Sequence, residues 1–192
     1  MIIQKNSPQS ELITADYIKQ GKVVIIPTDT IYGFSARVPD CDNAIKTLKG
    51  RGENKPFIEL IASPQDYKNY TDKEIPKEIL ALWPASLTII IERKKELGGG
   101  TVALRCPDDE WLRTVIKCSD CSIYSTSVNR SGSPALWTID SIIEEFGKDV
   151  PLIVADGDRK GGVPSTIIDI SDGRIRLVRA GAVNLDSSLL DR

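Results

Sequence analysis

The stretch "KTLKGRGENKPF", residues 46 to 57, sets Lys49, Arg51 and Lys55 within seven positions of a chain whose formal net charge is only -2. Arginine offers a planar fork of donors and lysine a compact point charge, a pairing suited to phosphate oxygens. The plainer alternative is a helix C-terminus whose dipole favours cations. A second stretch, "STSVNRSGSPA" at 125 to 135, carries Ser125, Ser127, Asn129, Ser131 and Gly132, so hydroxyls, an amide and accessible backbone donors are gathered for an anion, unless it is only a Ser/Gly loop. "PTDTIYG" at 27 to 33 places Thr28, Asp29, Thr30 and Tyr32 in the loop leaving an apolar run, as a ligand-contacting loop or a self-bonded polar turn. "GGVPSTIIDI" at 161 to 170 brings Ser165 and Thr166 into a strand in the same manner. Arg105 follows "TVAL" and Arg179 follows "IRLV", so each guanidinium ends an apolar strand and needs an anionic partner, which a ligand or a structural carboxylate would supply equally well.

Several chemistries are excluded. The chain has no histidine, which removes the commonest general base, imidazole metal ligands and histidine-dependent triads. No G-x-x-x-x-G-K-[ST] loop is present, and "GRGENK" lacks the last glycine of a dinucleotide fingerprint. Cys118 and Cys121 form a lone C-x-x-C without a second pair, so no metal site is assigned. The balance of 25 Lys plus Arg against 27 Asp plus Glu argues against a surface built wholly to grip nucleic acid, while leaving room for a local basic groove. The N-terminus lacks the long apolar core of a secretory signal. No segment approaches the roughly 18 consecutive apolar residues of a membrane helix, so no membrane and a cytoplasmic location are expected. Four cysteines are too few for a disulfide scaffold and read as thiols, mostly small apolar fillers.

The elements that position these residues follow from periodicity. Leu12, Ile13, Ala15, Tyr17 and Ile18 fall near helical spacing, with Gly21 closing the segment before the β-branched run "VVIIP". A second helix is expected over "CDNAIKTLK", with Asp42 at its start, Ala44, Ile45 and Leu48 facing inward, and Gly50 ending it beside the cations. "FIELIA", "LTIIIE", "TVALR", "SIYSTS", "LIVA", "TIIDI" and "RIRLVR" read as strands, "DDEWLRTVIK" and "TIDSIIEEFG" as helices. Short turns such as "SDG" at 171 to 173 imply that some strands are antiparallel, giving an α/β domain with a mixed sheet. With 192 residues and 41% hydrophobic content, one domain over 1–192 is expected.

Taken in order, "PTDTIYG", "KGR" followed by "NKPF", "WPASLTIII", "VALRCPD", "STSVNRSG", "VPSTIIDI" and "LVRAGA" resemble the YrdC family of threonylcarbamoyl-AMP synthases, from about residue 10 to residue 183. The resemblance implies a YrdC/RibB-like fold: a twisted mixed parallel/antiparallel sheet with flanking helices and a concave, positively charged cavity. It implies that L-threonine, bicarbonate and ATP, with Mg2+, give L-threonylcarbamoyl-AMP and pyrophosphate, the product serving a tRNA threonylcarbamoyl-transferase complex. The family's K-x-R pair falls on Lys49 and Arg51 and its S-x-N element on Ser127 and Asn129, which with Arg179 would hold ATP. Thr30, Tyr32, Arg105, Ser165 and Thr166 fall where threonine is held, Arg105 pairing with its carboxylate.

The chain departs from the family's pattern at three places: Leu60 and Asp109 stand where many members carry histidine near the amino acid pocket, and Ser86 replaces a proline. The second domain of longer members is not matched, which suggests a short, single-domain type. A YciO-like paralogue with another acceptor is the nearest alternative. An RNA-binding module using the same basic face for double-stranded RNA or tRNA is a further one, its signature being salt-dependent affinity that survives substitution of Ser127 and Asn129.

Overall fold

The structure, a computed structural model, describes residues 1–50, 52 and 56–190. In chain order the elements are β1 (Ile2–Gln4), α1 (Ser10–Lys19), β2 (Val24–Ile26), β3 (Gly33–Arg37), α2 (Asp42–Lys49), β4 (Ile58–Leu60), α3 (Lys77–Leu80), β5 (Leu87–Glu92), β6 (Thr101–Arg105), α4 (Glu110–Ser119), β7 (Ile123–Ser127), α5 (Ile139–Phe146), β8 (Leu152–Ala155), β9 (Thr166–Asp169) and β10 (Arg176–Arg179). Among the described residues the ten strands form one sheet in the order β1-β8-β2-β3-β7-β4-β6-β5-β9-β10. Pairing is mixed: β1 with β8, β2 with β8, β4 with β6 and β5 with β9 run parallel, the remaining neighbours antiparallel.

Strand alternation divides the core between two faces. Ile25 of β2 and Phe34 of β3 point toward α2 and α5, where Phe34 and Phe146 meet edge to face with ring centroids 4.9 Å apart. Val24 and Ile26 point the other way, onto Ile18 of α1 and Trp111, Leu112, Val115 and Ile116 of α4. A third cluster packs β5, β6 and Ile168 of β9 against Tyr67, Ile75, Ile79 and Trp83.

Local signals place the ends. Gly50 closes α2 at φ +59, a left-handed conformation that glycine adopts without a Cβ clash. Asp109 caps α4 by accepting from Leu112 N, and Thr138 caps α5 by accepting from Ser141 N. One inward assignment fails: Ala44 is exposed, as is Leu12 on α1. Each lies on the outer face of a two-layer packing, where one stripe of the helix suffices to cover the sheet. Strands β1 and β3 and helix α3 were not legible; β1 and α3 span only three and four residues, and β3 (GFSAR) lacks a β-branched run.

Candidate functional site

Register partners put their side chains on one side of the sheet. Gly33 and Ser127 pair, as do Ile58 with Ser125 and Leu60 with both Ile123 and Arg105, so Ile58, Ser125, Ser127 and Arg105 share the face that α1 and α4 cover only at one end. The uncovered part is a cavity of about 230 Å³, lined among others by Thr30, Tyr32, Arg105, Ser127, Ser165 and Arg179. Gly33 forms part of it: a Cβ there would sit 3.2 Å from Ser125 Oγ.

Thr28 organises the 27–32 loop. Its Oγ1 donates to Ile31 O (2.7 Å), accepts from the backbone N–H of Thr30 and Ile31, and lies 2.8 Å from Thr30 Oγ1. Thr30 Oγ1 in turn accepts from Arg105 Nη1 at 3.2 Å. Arg105 is 3% exposed, and its Nη2 lies 3.1 Å from Asp29 Oδ1, so the partner demanded by a buried guanidinium is a carboxylate of the chain itself. Asp29 Oδ2 accepts from Ser86 Oγ at 2.7 Å. Burial lowers the Arg105 pKa below its ordinary value; Asp29 opposes this and the nearby Arg179 adds to it. Arg105 Nε is buried and has no hydrogen-bond partner among the described residues.

Arg179, at the end of the edge strand β10, donates through Nε and Nη2 to Ser165 O (3.1 and 2.7 Å) and through Nη2 to Ser165 Oγ (3.1 Å). Among the described residues no carboxylate pairs with it, and partial burial lowers its pKa. Ser165 also meets Thr88 Oγ1 at 2.8 Å. The segment carrying Ser165 is pressed against Gly181, where a Cβ would lie 2.4 Å from Pro164 O and 2.5 Å from Thr166 N.

Lys49, 4% exposed, donates from Nζ to Ser127 O (2.5 Å), Asn129 Oδ1 (2.8 Å) and Asn129 O (3.2 Å), and lies over the Phe34 ring. Ser127 Oγ donates to Asn129 Oδ1 at 2.6 Å. The structure thus joins Lys49, Ser127 and Asn129 in one network, of which Ser127 lines the cavity. Arg51 and Lys55 lie outside the described residues.

Two residues assigned to the threonine end have committed hydroxyls. Tyr32 OH donates to Gly157 O and accepts from Asp156 N, with its pKa raised by burial. Thr166 Oγ1 donates to Val183 O and accepts from Val183 N, and it is not among the residues lining the cavity. Leu60 is buried among Ile18, Trp111 and Ile123, and Asp109 caps α4 and pairs with Lys5 at 2.8 Å. Leu60 stands beside Arg105 in register and Asp109 acts on Arg105 electrostatically, yet neither lines the cavity. Sequence reasoning singled out Asp29 only as a loop residue and missed Ser86 as its partner; the two lie 57 positions apart.

The family model described as "Telomere recombination", which spans the Sua5, YciO and YrdC proteins, matches residues 16–181, and the chain belongs to that family. It is 34% identical over 187 residues to the threonylcarbamoyl-AMP synthase of Pyrococcus abyssi, covering 91% of this chain and 54% of that protein. It is 29% identical over 194 residues to the Bacillus subtilis protein of the same name, covering 94% and 56%. The chain therefore spans about half the length of these curated relatives. The structure of P. abyssi Sua5 complexed with L-threonine superposes with a TM-score of 0.83 at 32% identity, over 94% of this chain and 57% of that one. Escherichia coli YciO shares the fold, with a TM-score of 0.81 at 22% identity over 96% of both chains.

Proposed function

We propose that the chain is an L-threonylcarbamoyladenylate synthase acting in the cytoplasm, converting L-threonine, bicarbonate and ATP to L-threonylcarbamoyl-AMP and pyrophosphate. The observation that carries this reading is the convergence of Arg105 and Arg179 with Ser and Thr hydroxyls on one cavity, in a chain of the Sua5 fold.

Threonine's amine condenses with bicarbonate to a carbamate, releasing water. A carbamate oxygen then attacks the α-phosphorus of ATP, the bond to the β-phosphate oxygen breaks, and pyrophosphate leaves. Two anions must meet, so positioning and fixed positive charge supply the rate and no histidine is needed. Arg105, at the cavity lining, takes the amino acid carboxylate, steadied by Thr30. Ser165 and Tyr32 line the same end, with Thr166 beside Ser165 but outside the lining, and the Tyr32 and Thr166 hydroxyls are already bonded to backbone. Arg179, Ser127 and Asn129 meet the nucleotide; Lys49 fixes the Ser127 to Asn129 backbone and adds its charge, with Arg51 as the second cation of the clamp. Magnesium would enter this reading with ATP, adding its charge to that of Lys49 and Arg51 to screen the triphosphate. The product is an activated acyl donor, which a tRNA threonylcarbamoyl-transferase complex would consume.

The test is pyrophosphate release from ATP and bicarbonate with threonine, serine or no amino acid, for the wild type, Lys49→Ala and Arg105→Lys. Release that requires threonine and falls in both variants is expected. Release indifferent to threonine refutes the substrate assignment.

A further inference from the structure

We propose that Ser86 is a positioning residue: through Asp29 it orients the Arg105 guanidinium toward the carboxylate of the amino acid substrate. The proposal rests on the reading of the site given above.

Asp29 is held at Oδ2, while Oδ1 faces Arg105 and has no hydrogen-bond partner among the described residues. Oδ2 accepts from Ser86 Oγ at 2.7 Å, with Asp108 N as a weak second donor at 3.4 Å, and Oδ1 faces Arg105 Nη2 at 3.1 Å. The Asp29 and Arg105 side chains are 6% and 4% exposed, so water cannot stand in for a lost contact. With Nη1 donating to Thr30 and Nη2 facing Asp29, the guanidinium is approached from two sides, and Arg105 lines the cavity.

Residue 86 also reaches the second arginine. Its carbonyl accepts from Thr166 N at 3.0 Å, next to Ser165, on which Arg179 rests.

Ser86→Ala and Ser86→Thr test this through two readouts: the Nε–Hε resonance of Arg105 by two-dimensional NMR, and calorimetric binding of L-threonine and, separately, ATP. In Ser86→Ala the resonance moves or broadens and threonine binds roughly tenfold more weakly, while ATP affinity stays at the wild-type level. Ser86→Thr, which keeps the hydroxyl, restores both. An unchanged resonance in Ser86→Ala overturns the proposal whatever the affinity does, and a change of equal size in Ser86→Thr overturns it by tracing the effect to packing. If the resonance responds as expected but the wild type binds no threonine, the positioning role stands and the reading of the substrate fails.

Discussion

Replacing Asp29 by asparagine keeps the shape of the side chain and a partner for Ser86 while removing the charge that faces Arg105. Asp29 and Arg105 are 6% and 4% exposed at 3.1 Å, so the variant leaves a buried guanidinium with the Thr30 hydroxyl as its remaining contact on that side. Removing one partner of a buried ion pair costs about 3–5 kcal/mol, because the surviving charge keeps its desolvation penalty and loses its attraction. For a domain of this size each kcal/mol shifts the melting midpoint by about 2–4 °C, so the midpoint should fall by about 6–20 °C. Scanning calorimetry at neutral pH measures it, with the double variant Asp29→Asn/Arg105→Met as the control. That variant holds neither charge and should recover much of the loss, since a buried pair replaced by apolar groups is often near neutral. A fall below about 2 °C in Asp29→Asn, or a double variant less stable than the single, would show that Asp29 does not compensate Arg105.

Three further outcomes are expected. Gly181→Ala drives a Cβ to 2.4 Å from Pro164 O and 2.5 Å from Thr166 N, all backbone, so it should cost about 1–3 kcal/mol in chemical denaturation and displace Ser165, weakening substrate binding. Glu59, 3% exposed beside Arg93, has its carboxyl pKa raised by burial above the ordinary 4.5 despite the arginine. Its contribution is therefore full below pH 4.5 and lost as pH rises through the higher folded value, so wild-type stability relative to Glu59→Gln should decline from pH 4 upward; a difference that grows with pH contradicts this. Burial pushes the Cys106 thiol up to about 12 and leaves Cys41 inaccessible, whereas Cys118 and Cys121 are half-buried. Brief alkylation at pH 8 read by mass spectrometry should label Cys118 or Cys121 first, and early labelling of Cys106 would refute its burial.

How legible the site was depended on the kind of residue. Arg105 and Arg179 stood out because a guanidinium ending an apolar strand must find a partner, and both line the cavity. Ser165 and Thr166 looked equivalent in sequence, yet strand alternation turns Ser165 toward Arg179 while Thr166 bonds Val183. Lys49 read as a phosphate-clamping cation, and the structure shows it buried and bonded to the exit of β7. Of the elements, the β-branched runs and amphipathic helices α4 and α5 were visible, whereas the three-residue β1 exists only because β8 offers a parallel edge.

By itself the sequence determined the mixed α/β class, the order of helices and strands, the absence of histidine chemistry and the ordered motifs that mark the family, because period, turn residues and composition act over short spans of chain. The tertiary structure decided which hydroxyls remain available, that Arg105 already has Asp29 as its counter-charge, and that Ser86, far away in sequence, holds that carboxylate. Those facts depend on strand register and on loops meeting across the sheet, where a side chain's partners are set by contacts between distant segments rather than by its neighbours in the chain.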